Sequence, residues 1–238
     1  MKKIDYMLAT ASMLLLIIAV LITSFQWAIY GDPQYQFYEK EYEKYEVADS
    51  LGMEMEDIME VTDHMMAYLI GKEDKLSVTT EVEGKMQDFF NEQDRLHMAD
   101  VKNLFLGGLK LRTILLCVAA ALIILLLLRK ARLGRLLPRA YGWSLGVFLM
   151  IILLLAISFA IDFTKCFTIF HQLFFTNDLW LFDPDTDYMI RMLPEGFFSD
   201  MTLRIGMIFI GNLLLLALFI FGGSRIQKKI YKNKLSNS

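Results

Sequence analysis

Apolar residues in this chain gather into four long blocks, and between the blocks the pattern changes to helical or alternating spacing. Residues 7–29, 111–128, 141–161 and 203–222 carry almost no charge. Each reaches or approaches the roughly 20 residues that a helix needs to cross a hydrocarbon core. The second block is the shortest. Arg112 at one end and Arg129 and Lys130 at the other extend their charges to opposite interfaces and anchor it. Lys2 and Lys3 precede the first block as they would in a secretory leader, but the apolar run continues to Gln26, Trp27 and Tyr30. That ending is an interfacial anchor and not a small-residue cleavage site, so the segment is expected to stay in the mature protein. Four crossings put both termini on one side.

The segment between the first two blocks, 31–110, has three parts. Residues 35–50 alternate Tyr and Phe with Glu and Lys, a pattern that suits either an extended strand or a charged surface helix. In 53–70, Ile58, Val61, Met65, Met66 and Leu69 recur at helical spacing and Gly71 supplies a stop, which predicts an amphipathic helix. Residues 76–83 alternate Val and Thr with charges, as a short strand or a loop. A second helix is expected over 83–105, broken by Gly107 and Gly108 just before the membrane. In the segment 162–202, Phe163, Phe167, Phe170 and Phe174 form an aromatic stripe continuing from the third block, with Thr164, Thr168, His171 and Asp178 on the other face. This predicts an interfacial helix with its rings in lipid. Asp183 and Pro184 suit an N-cap and first helical residue, opening a short helix through Tyr188 to Met192 that Pro194 ends.

Composition agrees with a membrane class: 55% of residues are hydrophobic and the mean hydropathy is +0.42. The net charge of −3 conceals a strong asymmetry. Arg129, Lys130, Arg132, Arg135 and Arg139 fill the loop 129–140, and Arg225, Lys228, Lys229, Lys232 and Lys234 fill the tail 223–238, both without acids. By the positive-inside rule those faces are cytoplasmic, which leaves the acidic segments 31–110 and 162–202 outside the cell. The cations are expected to touch anionic lipid headgroups, and nothing suggests nucleic acid. Cys117 and Cys166 are not placed as a disulfide pair and are expected to be free. The fold class is therefore an all-α membrane protein: one integral domain of four transmembrane helices, with amphipathic extracellular helices and a small extracellular β or loop element.

The Gly-x-Ser-x-Gly match Gly142-Trp143-Ser144-Leu145-Gly146 lies inside the third apolar block and not at a strand-to-helix elbow, and the chain lacks a His-Glu-x-x-His pair, a phosphate-cradling glycine loop and any Ser or Cys in a nucleophile setting. Asp183, Asp185 and Asp187 imitate the start of a calcium loop, but Tyr188 stands where its glycine belongs and Pro194 where its terminal Glu belongs. Asn212 in the fourth block suits helix packing, and with no charge mid-block a transporter is disfavoured. The three histidines, His64, His97 and His171, all lie in the outer segments. Beside Asp63 and Met65, His64 reads as a boundary residue. His97 has Asp94 and Asp100 three residues to either side, so a carboxylate is within reach on one helical face. His171, in an apolar run near membrane depth, is a functional candidate by default.

The four spans, the stretch Arg95-Leu96-His97-Met98-Ala99-Asp100-Val101-Lys102, and the segments Phe170-His171-Gln172-Leu173-Phe174-Phe175, Asn177-Asp178-Leu179-Trp180, Asp183-Pro184, Asp187 and Leu193-Pro194-Glu195-Gly196-Phe197-Phe198 together resemble the lipoprotein intramolecular transacylase family of Gram-positive bacteria. The resemblance covers nearly the whole chain, and the two histidine segments are its specific parts. It implies a reaction on lipoproteins whose N-terminal cysteine bears a diacylglyceryl thioether and a free α-amine: the sn-2 acyl chain moves from glycerol oxygen to that nitrogen and leaves a lyso-form. Such a transfer needs no enzyme nucleophile, because the substrate amine attacks its own ester.

On that resemblance His97 and His171 are the expected catalytic pair, His171 as base and His97 assisting, with Asp100 orienting His97. Asn177 is a candidate for the oxyanion, Trp180 for the acyl-chain wall and Arg191 for an acidic partner, and Asp183 completes the supporting set. For Trp180 an interfacial anchor is an equal reading. No cofactor or metal is implied, and the partners are the diacylglyceryl lipoprotein and membrane lipid. Two other classes stay open on sequence: a non-catalytic scaffold binding a partner protein through its acidic outer segment, and a metal-dependent membrane hydrolase.

Overall fold

The computed structural model describes residues 2–236, with side chains through residue 225. Of the tail cations, Arg225 is described and exposed, whereas Lys228, Lys229, Lys232 and Lys234 lie outside the described side chains. The described elements run, in chain order, α1 (Lys3–Tyr30), α2 (Gln36–Lys44), α3 (Val47–Leu51), α4 (Met55–Leu69), β1 (Thr79–Val82), β2 (Lys85–Asp88), α5 (Glu92–Leu128), α6 (Leu133–Ile161), α7 (Phe163–Phe174), α8 (Tyr188–Met192) and α9 (Glu195–Ser236). Helices α1, α5, α6 and α9 are long and apolar enough to cross a membrane, as the four blocks predict. Two compact units are formed: residues 1–27, 109–160 and 205–238 in the first, and 28–108 and 161–204 in the second.

In the first unit Ala9, Met13 and Ile17 of α1, Leu126 of α5, Leu136, Ala140 and Tyr141 of α6, and Phe209 and Leu213 of α9 form the buried seam. Small and polar side chains tie the helices where water is absent. Ser12 Oγ donates to the Ala119 carbonyl at 3.1 Å, and Asn212 Nδ2 to Ser24 Oγ at 3.0 Å, a packing role for Asn212. Arg129 pairs with Asp5 at 2.7 Å, and Arg112 bonds Gln26. α6 starts at Leu133, before its apolar run, so Arg135 and Arg139 lie in its first turns and not in a loop. Its Pro138 removes the N–H that would bond the Gly134 carbonyl, and that carbonyl instead accepts from Ser224 Oγ of α9. Leu153, Leu154, Leu218 and Phe219 are exposed, as lipid-facing residues are.

The second unit is built on aromatic and methionine packing. α4 buries Ile58, Val61, Met65, Met66 and Leu69, the predicted face, and Thr62 with them. The segment 35–50 is helical, as α2 and α3, because Tyr38 and Tyr42, four residues apart, share one buried face. Tyr42 stacks on Phe197 with centroids 6.1 Å apart, and its hydroxyl bonds Thr62 Oγ1 at 2.8 Å. The helix expected over 83–105 starts nine residues later. Glu83 and Gly84, both at positive φ (53° and 73°), make the two-residue turn of an antiparallel hairpin that pairs Val82 with Lys85 and Thr79 with Asp88. α5 then runs unbroken through Gly107 and Gly108.

Two further expectations are corrected. α7 does not continue the third span: Asp162 separates them, its side chain accepting the Lys165 N–H at 2.9 Å as the N-cap. Asp183 caps no helix. Its carboxylate accepts from the Asp185 N–H at 3.0 Å and closes a turn, and the residue at the N-cap position of α8 is Asp187.

Candidate active site

His97 and His171 arrive from different elements of the second unit and meet face to face. Their rings are 6.1 Å apart between centroids and inclined by 27°, and they are 6% and 7% exposed. α5 carries His97 one turn past its N-terminus. There Asn91 and Asp94 cap each other reciprocally: Asn91 N–H donates to Asp94 Oδ2, and Asp94 N–H to Asn91 Oδ1, both at 2.9 Å. α7 carries His171 on the face opposite exposed Ile169 and Leu173.

Aromatic rings enclose the pair. Phe175 lies 5.2 Å from His97 and 5.6 Å from His171, and Phe182 lies 5.3 Å from His97. Phe167 contacts His171 at 4.2 Å and Phe170 at 5.5 Å, so two rings of the predicted lipid-facing stripe also wall the histidine. Trp180 stacks on His171 at 4.9 Å and 29°. Its indole N–H donates to the Asn177 carbonyl at 3.0 Å, which fixes the ring within its own loop. Gln93, one turn before His97, holds that loop by donating to the carbonyls of Leu179 (3.1 Å) and Leu181 (3.0 Å).

These contacts set the chemistry. His171 Nδ1 lies 2.8 Å from the Phe167 carbonyl, which can only accept, so the neutral ring carries its hydrogen on Nδ1 and its lone pair on Nε2. Burial pushes the pKa of His171 down, and the Phe167 carbonyl opposes it. Burial, helped by His171, pushes His97 down to about 4, against the pull of Asp100. Both rings are thus neutral bases at neutral pH. Asp94 moves the other way, up to about 6, chiefly through burial.

The remaining sequence candidates fall in three places. Asp100 and Asn177 bond each other, amide Nδ2 to carboxylate at 2.9 Å. Asp183 donates its N–H to buried Asp187 at 2.7 Å, and Asp187 accepts from Asn91 at the start of α5, so this turn is fastened to the helix that bears His97. Arg191 is engaged elsewhere, by Glu83 at 2.8 Å, the Ser50 carbonyl and the Tyr188 ring. His64 bonds the Lys75 carbonyl at 2.9 Å and is not part of the cluster. Gln93, Phe175, Phe182 and Asp187 were not predicted as site residues. For Asn91 and Asp94 the signal was present, since Asn-x-x-Asp before a helical run is a capping pattern.

A stability prediction follows from His97. Its pKa is lower folded than unfolded, so the unfolded chain binds more protons between about pH 6.5 and 4. The contribution is whole above that window and lost as pH falls through it. Asp94 has the opposite sign, with stability lost as pH rises from about 4 to 6. Thermal unfolding in detergent at pH 7.5 and 5 is expected to show a smaller acid-induced loss in His97→Gln than in the parent; equal losses count against a buried neutral His97.

The comparisons with known proteins agree in kind. The family model for lipoprotein intramolecular transacylases, Lit, matches residues 10–198. No curated protein matches. Among solved structures, the membrane-integral lipoprotein intramolecular transacylase Lit from Bacillus cereus is similar at 23% identity and a TM-score of 0.74, covering 95% of this chain and 98% of that one. Two variants of the same Bacillus cereus protein are similar at 22% identity. One, with a histidine changed to arginine, has a TM-score of 0.73 and coverages of 96% and 95%; the other, with a histidine changed to alanine, has 0.72 and coverages of 95% and 96%. The solved structures show a shared fold, and the family match extends over well more than half of the sequence: the chain belongs to the lipoprotein intramolecular transacylase family, and is a multi-pass membrane acyltransferase.

Proposed function

We propose that this enzyme moves the sn-2 acyl chain of a diacylglyceryl lipoprotein from glycerol oxygen to the α-nitrogen of the N-terminal cysteine, with His97 and His171 as its acid–base pair. The supporting observation is the pair of buried rings stacked at 6.1 Å. Among the described residues, no hydroxyl or thiol is hydrogen-bonded to either ring, which supports a mechanism without a side-chain nucleophile. The substrate amine then serves as nucleophile. Its nitrogen forms the C–N bond, the ester C–O bond to glycerol breaks, one proton leaves nitrogen and one reaches the glycerol oxygen.

In this mechanism the Nε2 lone pair of His171 takes the amine proton, and His97 takes part in returning a proton to the leaving oxygen. The walls formed by Phe167, Phe175, Trp180 and Phe182 fold the acyl chain and exclude water, so that attack by nitrogen prevails over hydrolysis. Asn177 holds Asp100 while one amide hydrogen stays available to a developing oxyanion. The basic loop and tail argue that both termini are cytoplasmic, with the histidine unit at the outer leaflet where lipoproteins are anchored.

The test uses purified enzyme and a synthetic diacylglyceryl lipopeptide in mixed micelles. The free primary amine is expected to disappear, by amine-reactive labelling, without release of fatty acid. Fatty-acid release with the amine intact contradicts the proposal and indicates a hydrolase.

A further inference from the structure

Two buried polar atoms near the start of α5 lack a hydrogen-bond partner among the described residues: Nδ1 of His97 and Oδ1 of Asp94. Asp94 is fully buried and His97 is 6% exposed. They stand three residues apart on one helix, a spacing that brings side chains to the same face with Cβ atoms about 5–6 Å apart. One atom is a donor in need of an acceptor when the ring carries its hydrogen on Nδ1, and the other is an acceptor in need of a donor. Two such orphans on one helical face cost free energy, and a link between them removes both costs.

The other charged groups acting on Asp94 or His97 are already engaged. Asp100 accepts from Asn177 and is only partly buried. Asp187 accepts from Asn91, the Asp183 N–H and Thr186. Arg95 is bound to Asp88 at 2.6 Å and to the Leu76 carbonyl at 3.0 Å. His171 presents its ring face, and its Nδ1 is held by Phe167. The capping bond of Asp94 uses Oδ2, which leaves Oδ1 for another partner.

Resting on the reading that His97 takes part in proton transfer, we propose that Asp94 is its positioning residue, accepting the Nδ1–H of His97 through one buried water and so keeping the lone pair on Nε2. The carboxylate fixes the tautomer and stabilises the imidazolium formed in passing, which burial beside His171 otherwise disfavours. A buried ring with a pKa near 4 is by itself a weak base. A carboxylate linked to Nδ1 favours the protonated ring and makes it a stronger base. The capping role and the catalytic role then use different oxygens of one side chain.

The experiment is the pH–rate profile of full-length enzyme and its variants on the diacylglyceryl lipopeptide. Asp94→Asn is expected to lower the rate at pH 7 by about 10–100-fold and to move the acid limb to lower pH, since the carboxylate that favours the protonated ring is gone. Asn91→Ala, which removes the capping partner and keeps the carboxylate, lowers thermal stability and leaves the limb in place. An Asp94→Asn profile parallel to that of Asn91→Ala overturns the inference and leaves Asp94 as a cap only. If Asp94→Asn does not fold, the ring ¹⁵N shifts of His97 in the parent enzyme decide: an inflection as Asp94 titrates supports the pair, and a trace flat through that range overturns it. His97→Ala separates the two layers: full activity overturns the His97 reading and this inference with it, whereas an inactive His97→Ala beside an unshifted Asp94→Asn overturns the inference alone.

Discussion

Replacing His171 or His97 with alanine is expected to reduce acyl transfer by about 10²–10⁴-fold, the range that acid–base groups supply. His171 is the more informative position because its tautomer is fixed: Nδ1–H is bound to the Phe167 carbonyl, so the lone pair on Nε2 is available for a proton. Alanine removes that lone pair and also opens a hole between Phe167 and Trp180, which flank the ring at 4.2 and 4.9 Å. His171→Phe keeps the ring volume and isolates the proton. It is expected to fold like the parent, by thermal unfolding, and to be as inactive as His171→Ala. The double replacement of both histidines costs little more than either alone, because residues that act as one catalytic unit are not additive. His64→Ala, which alters only a bond to the Lys75 carbonyl, leaves the rate unchanged.

Gly196→Ala is the stability change expected to matter most. A Cβ at Gly196 falls 2.4 Å from Cε1 and Cζ of the Tyr45 ring, far inside contact distance. The ring cannot swing away cheaply, because its hydroxyl donates to Asp200 at 2.6 Å and Asp200, one turn further along α9, also binds Lys44. Overpacking of this kind costs about 1–3 kcal/mol, while the gain from replacing glycine near a helix start is smaller, at most about 1 kcal/mol. The net loss is expected to lower the melting temperature by a few degrees, roughly 2–4 °C per kcal/mol for a chain of this size. Combining Gly196→Ala with Tyr45→Ser restores the space and is expected to recover part of the loss. A single Gly196→Ala that melts like the parent contradicts this packing.

Much of this architecture is legible in the sequence because membrane burial writes a strong signal. Runs such as 111–128 admit one reading, and the apolar face of α4 is spelled at helical spacing. Local turn chemistry is harder. Glu83-Gly84 at the head of the expected helix conceals a two-residue hairpin turn, since a single glycine costs a helix only about 1 kcal/mol and does not announce positive φ. The same tolerance lets α5 pass through Gly107 and Gly108, where a break was expected. Asp162 was available as a cap, but so were neighbouring acids elsewhere, and which one is used depends on where the chain must turn.

The histidines stood out as candidates from their surroundings, whereas their meeting is a long-range fact that no spacing contains. The roles expected for Asn177, Asp183 and Arg191 depend on such contacts too. Asn177 serves Asp100, Asp183 shapes a turn, and Arg191 is bound to Glu83 and Ser50. Gln93 reads as an ordinary polar residue until the loop that it fastens is seen beside His171.

The most direct test is mass spectrometry of the N-terminal peptide of a lipoprotein from cells with a simple diacylated background, with and without this enzyme. Acyl migration is an isomerisation, so the intact mass stays the same and the fragment ions carry the answer. An N-acylated cysteine with a monoacylglyceryl thioether, present with the enzyme and absent with His171→Ala, is the predicted result; a diacylglyceryl thioether with a free amine in both cells contradicts the account.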